Sequence, residues 1–134
     1  MKRTILVACA LALAPCAWAS SAHAASTANI VCYLWADQPT AASYTPSTSY
    51  SFNRPGGANK ITRSGPGSYT VTCGNVPSFS GPRGGHVQVS AYGGASAVCN
   101  TTFWGGTPLQ AAVQCRSLVT GALVDNYFDF LFVR

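Results

Sequence analysis

Apolar and polar residues alternate with a period of two along short stretches of this chain. The clearest stretch is Tyr127–Val133, where Phe128, Phe130 and Phe132 share one face. This alternation is typical of a β-strand with one buried face. Burial of one phenylalanine stabilises a fold by roughly 2–3 kcal/mol, so the three rings predict the centre of a core. Asn29–Trp35 is apolar on both faces, which predicts a strand that is central or covered on both sides.

Glycine and proline separate these stretches at short intervals, and no stretch holds an apolar period of 3.6 residues. The pattern therefore predicts about eight strands, separated by turns and loops. They are Asn29–Trp35, Tyr50–Arg54, Lys60–Arg63, Ser68–Cys73, Gly85–Tyr92, Ala95–Trp104, Gln110–Ser117 and Tyr127–Val133. Their density predicts an all-β fold, an antiparallel β-sandwich that is immunoglobulin-like or similar. A small β-barrel is the alternative.

The segments between strands predict how the strands connect. Tyr50–Arg54, Lys60–Arg63 and Ser68–Cys73 follow one another across short Gly- and Pro-containing turns, which predicts a meander. The pair Gly93-Gly94 predicts a tight hairpin turn. Asp37–Ser49 is rich in Ser, Thr, Pro and Ala and predicts a crossing loop.

The first residues have the pattern of a secretory signal peptide. Lys2 and Arg3 precede the apolar run Ile5–Ala14, and Ala22–Ala24 is a small-x-small cleavage site. We therefore expect a leader over residues 1–24 and a single domain over 25–134, secreted to the periplasm or the medium of a bacterium; cleavage after residue 19 is the alternative. The apolar run is shorter than the ~20 residues that span a bilayer, so no membrane span is expected.

Four cysteines lie outside this leader, which indicates disulfides in an oxidising compartment. If residues 105–108 form the tip of a hairpin, Cys99 and Cys115 lie opposite each other, at a separation that suits a disulfide. Cys32–Cys73 then follows by elimination. No C-x-x-C spacing occurs and His86 is the only histidine outside the leader, so no metal site is expected.

The net charge and the lack of ligand-binding motifs argue against several classes of function. The chain has eight Lys and Arg against three acidic residues. Two of the eight lie in the leader, so the remaining chain carries a net charge of +3 without a basic cluster. Nucleic-acid binding depends on several phosphate contacts, so we expect no nucleic-acid partner. No phosphate loop, dinucleotide fingerprint or calcium loop occurs, and no cofactor is expected. The chain is expected to be a monomer.

Catalysis has thin support in the sequence. A Ser–His–Asp triad would need His86, but no nucleophile motif accompanies it. Asp125 and Asp129 are the one pair of carboxylates that suits a glycan hydrolase. The simpler interpretation is that Asp125 caps a turn and Asp129 faces solvent, opposite the phenylalanines. We expect a protein without enzymatic activity, with the hydrolase as the alternative.

Binding is better supported, because aromatic side chains in or near loops suit sugar or peptide ligands. The candidates are Tyr44, Phe79, Tyr92 and Trp104. The sequence therefore predicts an extracellular binding module for a glycan or a protein.

Two further features are compatible with a partner. A small basic spot formed by Arg54, Lys60 and Arg63 is a weaker candidate, since charged residues also protect a strand edge. A secreted inhibitor or toxin that presents the loop Gly74–Gly85 is a further alternative.

Several short motifs lie along the chain outside the leader: WADQPTAASYTP with YSFN, GSYTV, GGHVQVSAYG, Cys99 with Trp104, and Asp125 with the closing FLFV. Together they resemble a module of small secreted bacterial β-rich proteins of unassigned function. The module can occur in tandem in that group, and one copy is found here. The resemblance implies secretion and a β-rich fold, and it transfers no catalytic or binding residue.

Overall fold

A computed structural model describes residues 30–78, 84–93 and 96–134, and these residues form a sandwich of two antiparallel sheets. The described residues contain nine strands and one short 3₁₀ turn, Thr48–Tyr50. The strands are β1 Ile30–Ala36, β2 Ser43–Tyr44, β3 Ser51–Asn53, β4 Asn59–Gly65, β5 Ser68–Cys73, β6 His86–Tyr92, β7 Ala97–Gly105, β8 Leu109–Ser117 and β9 Tyr127–Val133. The predicted antiparallel β-sandwich is confirmed. Among these strands the sheets do not close into a barrel.

Each sheet has its own strand order. The four-stranded sheet runs β3-β1-β9-β6, and the five-stranded sheet runs β2-β4-β5-β8-β7. The two-faced apolar strand β1 is central in its sheet, as its pattern predicts. The three phenylalanines of β9 are fully buried between the sheets. They meet Ile61, Val71 and Val113, which project from the five-stranded sheet into the same core.

Both predicted disulfides are present. Cys32–Cys73 joins β1 to β5 and so ties one sheet to the other across the core. Cys99–Cys115 joins directly opposed residues of β7 and β8, whose Cα atoms are 4.0 Å apart. The hairpin turn is short, which limits the possible pairings, and a bulge at Thr102 between the turn and the cysteines shifts the register by one residue and leaves Cys99 opposite Cys115.

The predicted meander is wrong in its first strand, because β3 pairs with β1 in the four-stranded sheet while β4 and β5 form a hairpin in the other. Two asparagines bridge the crossing. The Asn59 side-chain amide donates to the Phe52 carbonyl over 3.1 Å, and its oxygen accepts from Asn53 over 2.9 Å. The Asn53 amide also donates to the carbonyl of Gly74, which follows β5, so the buried Asn59 and the partly buried Asn53 link the ends of strands from both sheets.

Two other connections differ from prediction. The loop predicted over Asp37–Ser49 contains β2, an edge strand of two residues that is too short to produce an alternating pattern. The tight hairpin at Gly93-Gly94 is also wrong, because β6 and β7 lie in different sheets. The Cys99–Cys115 pairing assigns β7 to the five-stranded sheet, whereas β6 pairs with β9.

The expected leader, residues 1–24, and the candidate Phe79 lie outside the described residues. Within residues 30–78, 84–93 and 96–134, no helix is long and apolar enough to cross a membrane.

Candidate functional site

The outer face of the four-stranded sheet carries a cluster of aromatic side chains, which we call the aromatic face. Its members are Tyr33, Trp35, Tyr50, Phe52, Tyr92 and Tyr127. Trp35 is 42% exposed and Tyr50 is 46% exposed, large fractions for side chains of this size. Exposed apolar groups that lie next to one another mark interaction sites more often than isolated ones do.

The alternation of side chains along each strand places these residues on the outer face of the sheet. Side chains alternate along a strand, so burial of Leu34 and Ala36 in the core turns Tyr33 and Trp35 outward. Burial of Phe128 turns Tyr127 outward in the same way. The pairing then aligns them across the sheet, with Tyr33 opposite Phe52 and Tyr127 opposite Tyr92.

The rings are stacked or tilted against one another. Trp35 and Tyr50 are nearly parallel, with centroids 4.5 Å apart and planes 3° apart. Tyr33 and Phe52 stack at 5.8 Å and 22°. Tyr92 lies 5.7 Å from Trp35 and is tilted by 52°. Packing against neighbouring rings restricts each side chain, so little conformational entropy remains to be lost when a ligand binds.

Polar groups border these rings. Asp129 lies opposite both Trp35 and Ser90 in the strand pairing, and its Oδ1 accepts a hydrogen bond of 3.1 Å from the Ser90 amide. An open depression of about 270 Å³ is lined by Tyr33, Trp35, Gln88, Ser90, Asp129, Phe130 and Leu131. A second depression of about 220 Å³ is lined by Trp35, Tyr92 and Asp129. Both are smaller than typical enclosed ligand pockets of ~300–1,000 Å³, so they suit a ligand that lies across the sheet.

The aromatic residues predicted from the sequence are spread over the molecule. Tyr92 belongs to the aromatic face. Tyr44 is half-buried against the core, and its hydroxyl accepts a hydrogen bond from the Gln38 amide; burial raises the pKa of Tyr44 to about 12. Trp104 packs towards Phe132, with ring centroids 6.1 Å apart. The structure therefore brings Tyr92, and neither Tyr44 nor Trp104, into a ring-to-ring contact with Trp35.

The three residues of the predicted basic spot are placed differently from one another. Arg54 follows β3 in the four-stranded sheet, while Lys60 projects from β4 in the five-stranded sheet, and both are exposed. The Arg63 guanidinium makes a bidentate ion pair with Asp125, with N–O distances of 2.7 and 2.8 Å.

Asp125 joins three parts of the fold. Besides Arg63, it accepts a hydrogen bond of 2.8 Å from the Gly67 amide, and its Oδ1 lies 3.0 Å from the Tyr69 hydroxyl. Gly67 has a φ of +61°, and a Cβ there would lie 2.5 Å from the Cys115 carbonyl oxygen, so the turn needs glycine. The expectation that Asp125 supports a turn fits this geometry.

The ion pair predicts an acid-labile contribution to stability. The Arg63 guanidinium, helped by the Gly67 and Tyr69 donors, lowers the pKa of Asp125 from 3.8 to about 2. The contribution is therefore complete above about pH 4 and is lost as the pH falls to about 2, since the folded state binds the proton less readily. We expect a loss of about 1 kcal/mol, because both side chains still contact solvent.

Urea unfolding between pH 5 and 2 measures this loss, with Asp125→Asn as the test and Asp129→Asn as the control. The Asp125→Asn variant starts less stable and changes less over this range. The Asp129→Asn variant keeps Asp125 with its donors and retains the step. An unchanged step in Asp125→Asn would contradict the assignment.

The two carboxylates considered for hydrolysis have different surroundings. Asp125 is bound by Arg63, whereas Asp129 faces outward from β9 and lines both depressions. Asp125 is not among the lining residues of either depression. The expectation that Asp129 lies opposite the phenylalanines is confirmed by the burial pattern of β9.

Most of the aromatic face was not predicted, because its residues lie mainly on strands, whereas the candidates predicted from the sequence were aromatic residues in or near loops. A signal was present in β1, which is apolar on both faces. In a sandwich of two sheets each sheet has one outer face, so a strand that is apolar on both sides must present one apolar side outward. Tyr33 and Trp35 are the residues on that side.

Among the described residues, no group of three His, Cys, Asp or Glu side chains is arranged to hold a metal ion. We compared the chain with models of protein families, with curated proteins and with solved structures, and none of them matches it. A functional proposal therefore rests on the geometry of the aromatic face.

Proposed function

We propose that this chain is a secreted, non-enzymatic module that binds carbohydrate on the aromatic face. The observation that carries the proposal is the parallel pair Trp35 and Tyr50, exposed beside Asp129 on the outside of a sheet. Disulfides are typical of oxidising compartments, and two of them join the strands that form this fold, which supports secretion.

Sugar rings match such a surface chemically. A pyranose has an apolar C–H face that packs on an aromatic ring, and hydroxyl edges that exchange hydrogen bonds with amide, hydroxyl and carboxylate groups. Asp129 supplies such a group opposite Trp35 in the neighbouring strand β9, and Gln88 and Ser90 supply others in β6, on the far side of β9. A shallow, preformed surface of this kind suits a chain of several sugars better than one enclosed sugar.

Binding without catalysis is supported by how the carboxylates are used. Asp125 is engaged by Arg63, Gly67 and Tyr69, so its lone pairs serve the fold. Asp129 is then the carboxylate that lines the depressions, and Asp37, which follows β1, is among the lining residues of neither. Hydrolysis with a general acid and a nucleophile or base needs two carboxyl groups on either side of the scissile bond.

Loss of the Trp35 ring tests the proposal. We expect Trp35→Ala to weaken binding about 30-fold, since a central aromatic anchor contributes about 2 kcal/mol. Tyr50→Ala weakens it less, because Tyr50 acts partly by stacking on Trp35. Calorimetric titration of the oxidised protein with cellohexaose and with chitin-derived oligosaccharides, and pull-down on insoluble cellulose, chitin and peptidoglycan, measure these effects.

Phe103→Ala is the matched control. Phe103 is 64% exposed on β7, so its removal also deletes an exposed aromatic ring, but in the five-stranded sheet. We expect it to change affinity by less than about twofold, as for a residue outside the contact surface. Equal losses for Trp35→Ala and Phe103→Ala, or no binding to any of these carbohydrates, would refute the proposal.

A further inference from the structure

The aromatic face has an uneven distribution of charge. The four strands that form its sheet contain neither lysine nor arginine, and Asp129 is their one carboxylate. A second carboxylate, Asp37, directly follows β1 at the end of the sheet where Trp35 and Tyr92 lie. Arg54 and Arg134 follow β3 and β9 at the opposite end, beside the start of β1. The aromatic end of the sheet is therefore the acidic end.

Asp129 retains unused hydrogen-bonding capacity. An ionised carboxylate offers about four acceptor positions, and the Ser90 amide occupies one of them. Arg63–Asp125 is the one ion pair among the described residues. Asp129 therefore has no cationic partner within the described part of the chain. Its carboxylate lies at the boundary of the two depressions and lines both.

The rings beside Asp129 favour the same sign of charge. The face of an aromatic ring carries negative partial charge and attracts an ammonium group within about 6 Å. Trp35 lies opposite Asp129 in the strand pairing, and Tyr92 lines the smaller depression with both of them. Burial is the main cause that raises the pKa of Tyr92, and the nearby Asp37 and Asp129 carboxylates add to it.

We infer that the carbohydrate bound here carries a free amino group, a glucosamine-type residue whose ammonium lies between Asp129 and the Trp35 and Tyr92 rings. This inference rests on the proposed function and specifies its ligand class. The ammonium donates to the free carboxylate positions of Asp129, and the sugar ring packs on the neighbouring aromatics. A neutral hydroxyl or acetamido group at the same carbon gains neither the ion pair nor the cation–π contact.

Three oligosaccharides with one backbone test this inference. Cellohexaose, the hexamer of glucosamine and the hexamer of N-acetylglucosamine share β-1,4 linkage and differ at C2. We expect calorimetric titration at about pH 5.5, where amines are protonated and carboxylates ionised, to show about tenfold tighter binding of the glucosamine hexamer. The protein is itself positively charged, at +5 for the whole chain, so overall attraction cannot produce this preference.

Asp129→Asn is the diagnostic variant, because an asparagine oxygen still accepts from the Ser90 amide. We expect it to abolish the roughly tenfold preference, so that the variant binds the glucosamine hexamer no more tightly than it binds cellohexaose. Added salt weakens glucosamine-hexamer binding to the unsubstituted protein and has little effect on the variant, since an exposed ion pair is screened. A thermal melt of each variant verifies that it is folded.

The outcomes separate the two proposals. Binding of cellohexaose or the acetylated hexamer as tightly as the glucosamine hexamer overturns the inference and leaves carbohydrate binding in place. If the protein binds none of the three hexamers and is retained on none of the tested polysaccharides, both the inference and the proposed function are overturned. Competition by choline, or by Nα-acetyl-lysine methyl ester with its free ε-ammonium, that is as strong as competition by the glucosamine hexamer would show an ammonium site without sugar recognition. That result also overturns the inference.

Discussion

Replacement of Cys32 and Cys73 by alanine lowers the free energy of unfolding by about 4 kcal/mol. The two cysteines are separated by 41 residues, and a cross-link over a loop of that length removes about this much conformational freedom from the unfolded chain. Both side chains are fully buried, so alanine is preferred to serine, which would bury a hydroxyl between the sheets. Urea unfolding of the oxidised protein and of the variant measures the difference.

The pair Cys99 and Cys115 provides the internal comparison. Its separation is 16 residues, which predicts a smaller loss of about 3 kcal/mol from the same entropy argument. It also joins neighbouring strands that already share a hairpin, so its removal leaves the two sheets linked through Cys32–Cys73. A larger loss for Cys99→Ala/Cys115→Ala than for Cys32→Ala/Cys73→Ala would show that the link between the sheets is not the dominant constraint.

Local patterns in the sequence predict local structure well in this protein. The short turn between β7 and β8 leaves few alternative pairings, so Cys99 was predicted opposite Cys115, although a bulge at Thr102 between the turn and the cysteines shifts the register by one residue. The inward face of β9 follows from alternation alone, because three phenylalanines at successive even positions have one common side. Both predictions needed information from fewer than about 20 consecutive residues.

The sheet to which a strand belongs is not encoded in such local patterns. Alternation indicates which side of a strand is buried, and it does not identify the neighbouring strand. The partner of β3 is β1, to which it is linked through the Phe52 and Tyr33 rings, and the partner of β6 is β9. These pairings bring together residues far apart in the chain, so proximity in sequence gave the wrong neighbours.

The aromatic face combines both kinds of information. Alternation around Leu34 places Trp35 outward, but only the pairing of β1 with β9 brings it beside Asp129. Tyr50 reaches Trp35 from the 3₁₀ turn before β3, so its position depends on β3 lying next to β1. Because β3 was predicted to lie beside β4 rather than β1, the stacked pair of Trp35 and Tyr50, on which the proposed function depends, was not predicted.

The second large effect on stability is expected from a substitution in the core. Phe130→Ala is expected to lower the free energy of unfolding by about 4 kcal/mol, since it removes a ring from the middle of β9 and leaves a cavity that the two sheets cannot close. Phe130 is paired on both sides, with Leu34 of β1 and Val89 of β6, so no strand edge is available to relax into the space. Urea or thermal unfolding of the oxidised protein measures the loss.

Tyr127→Ala is the control within the same strand. Tyr127 is 41% exposed and faces outward, so its removal opens no cavity between the sheets, and we expect a loss of about 1 kcal/mol or less. If Phe130→Ala does not fold, Phe130→Leu retains an apolar side chain and should cost about 1–2 kcal/mol. Similar losses at Phe130 and Tyr127 would mean that the two faces of β9 contribute alike. That result would contradict the assignment of the phenylalanine face to the core and of the tyrosine face to the binding surface.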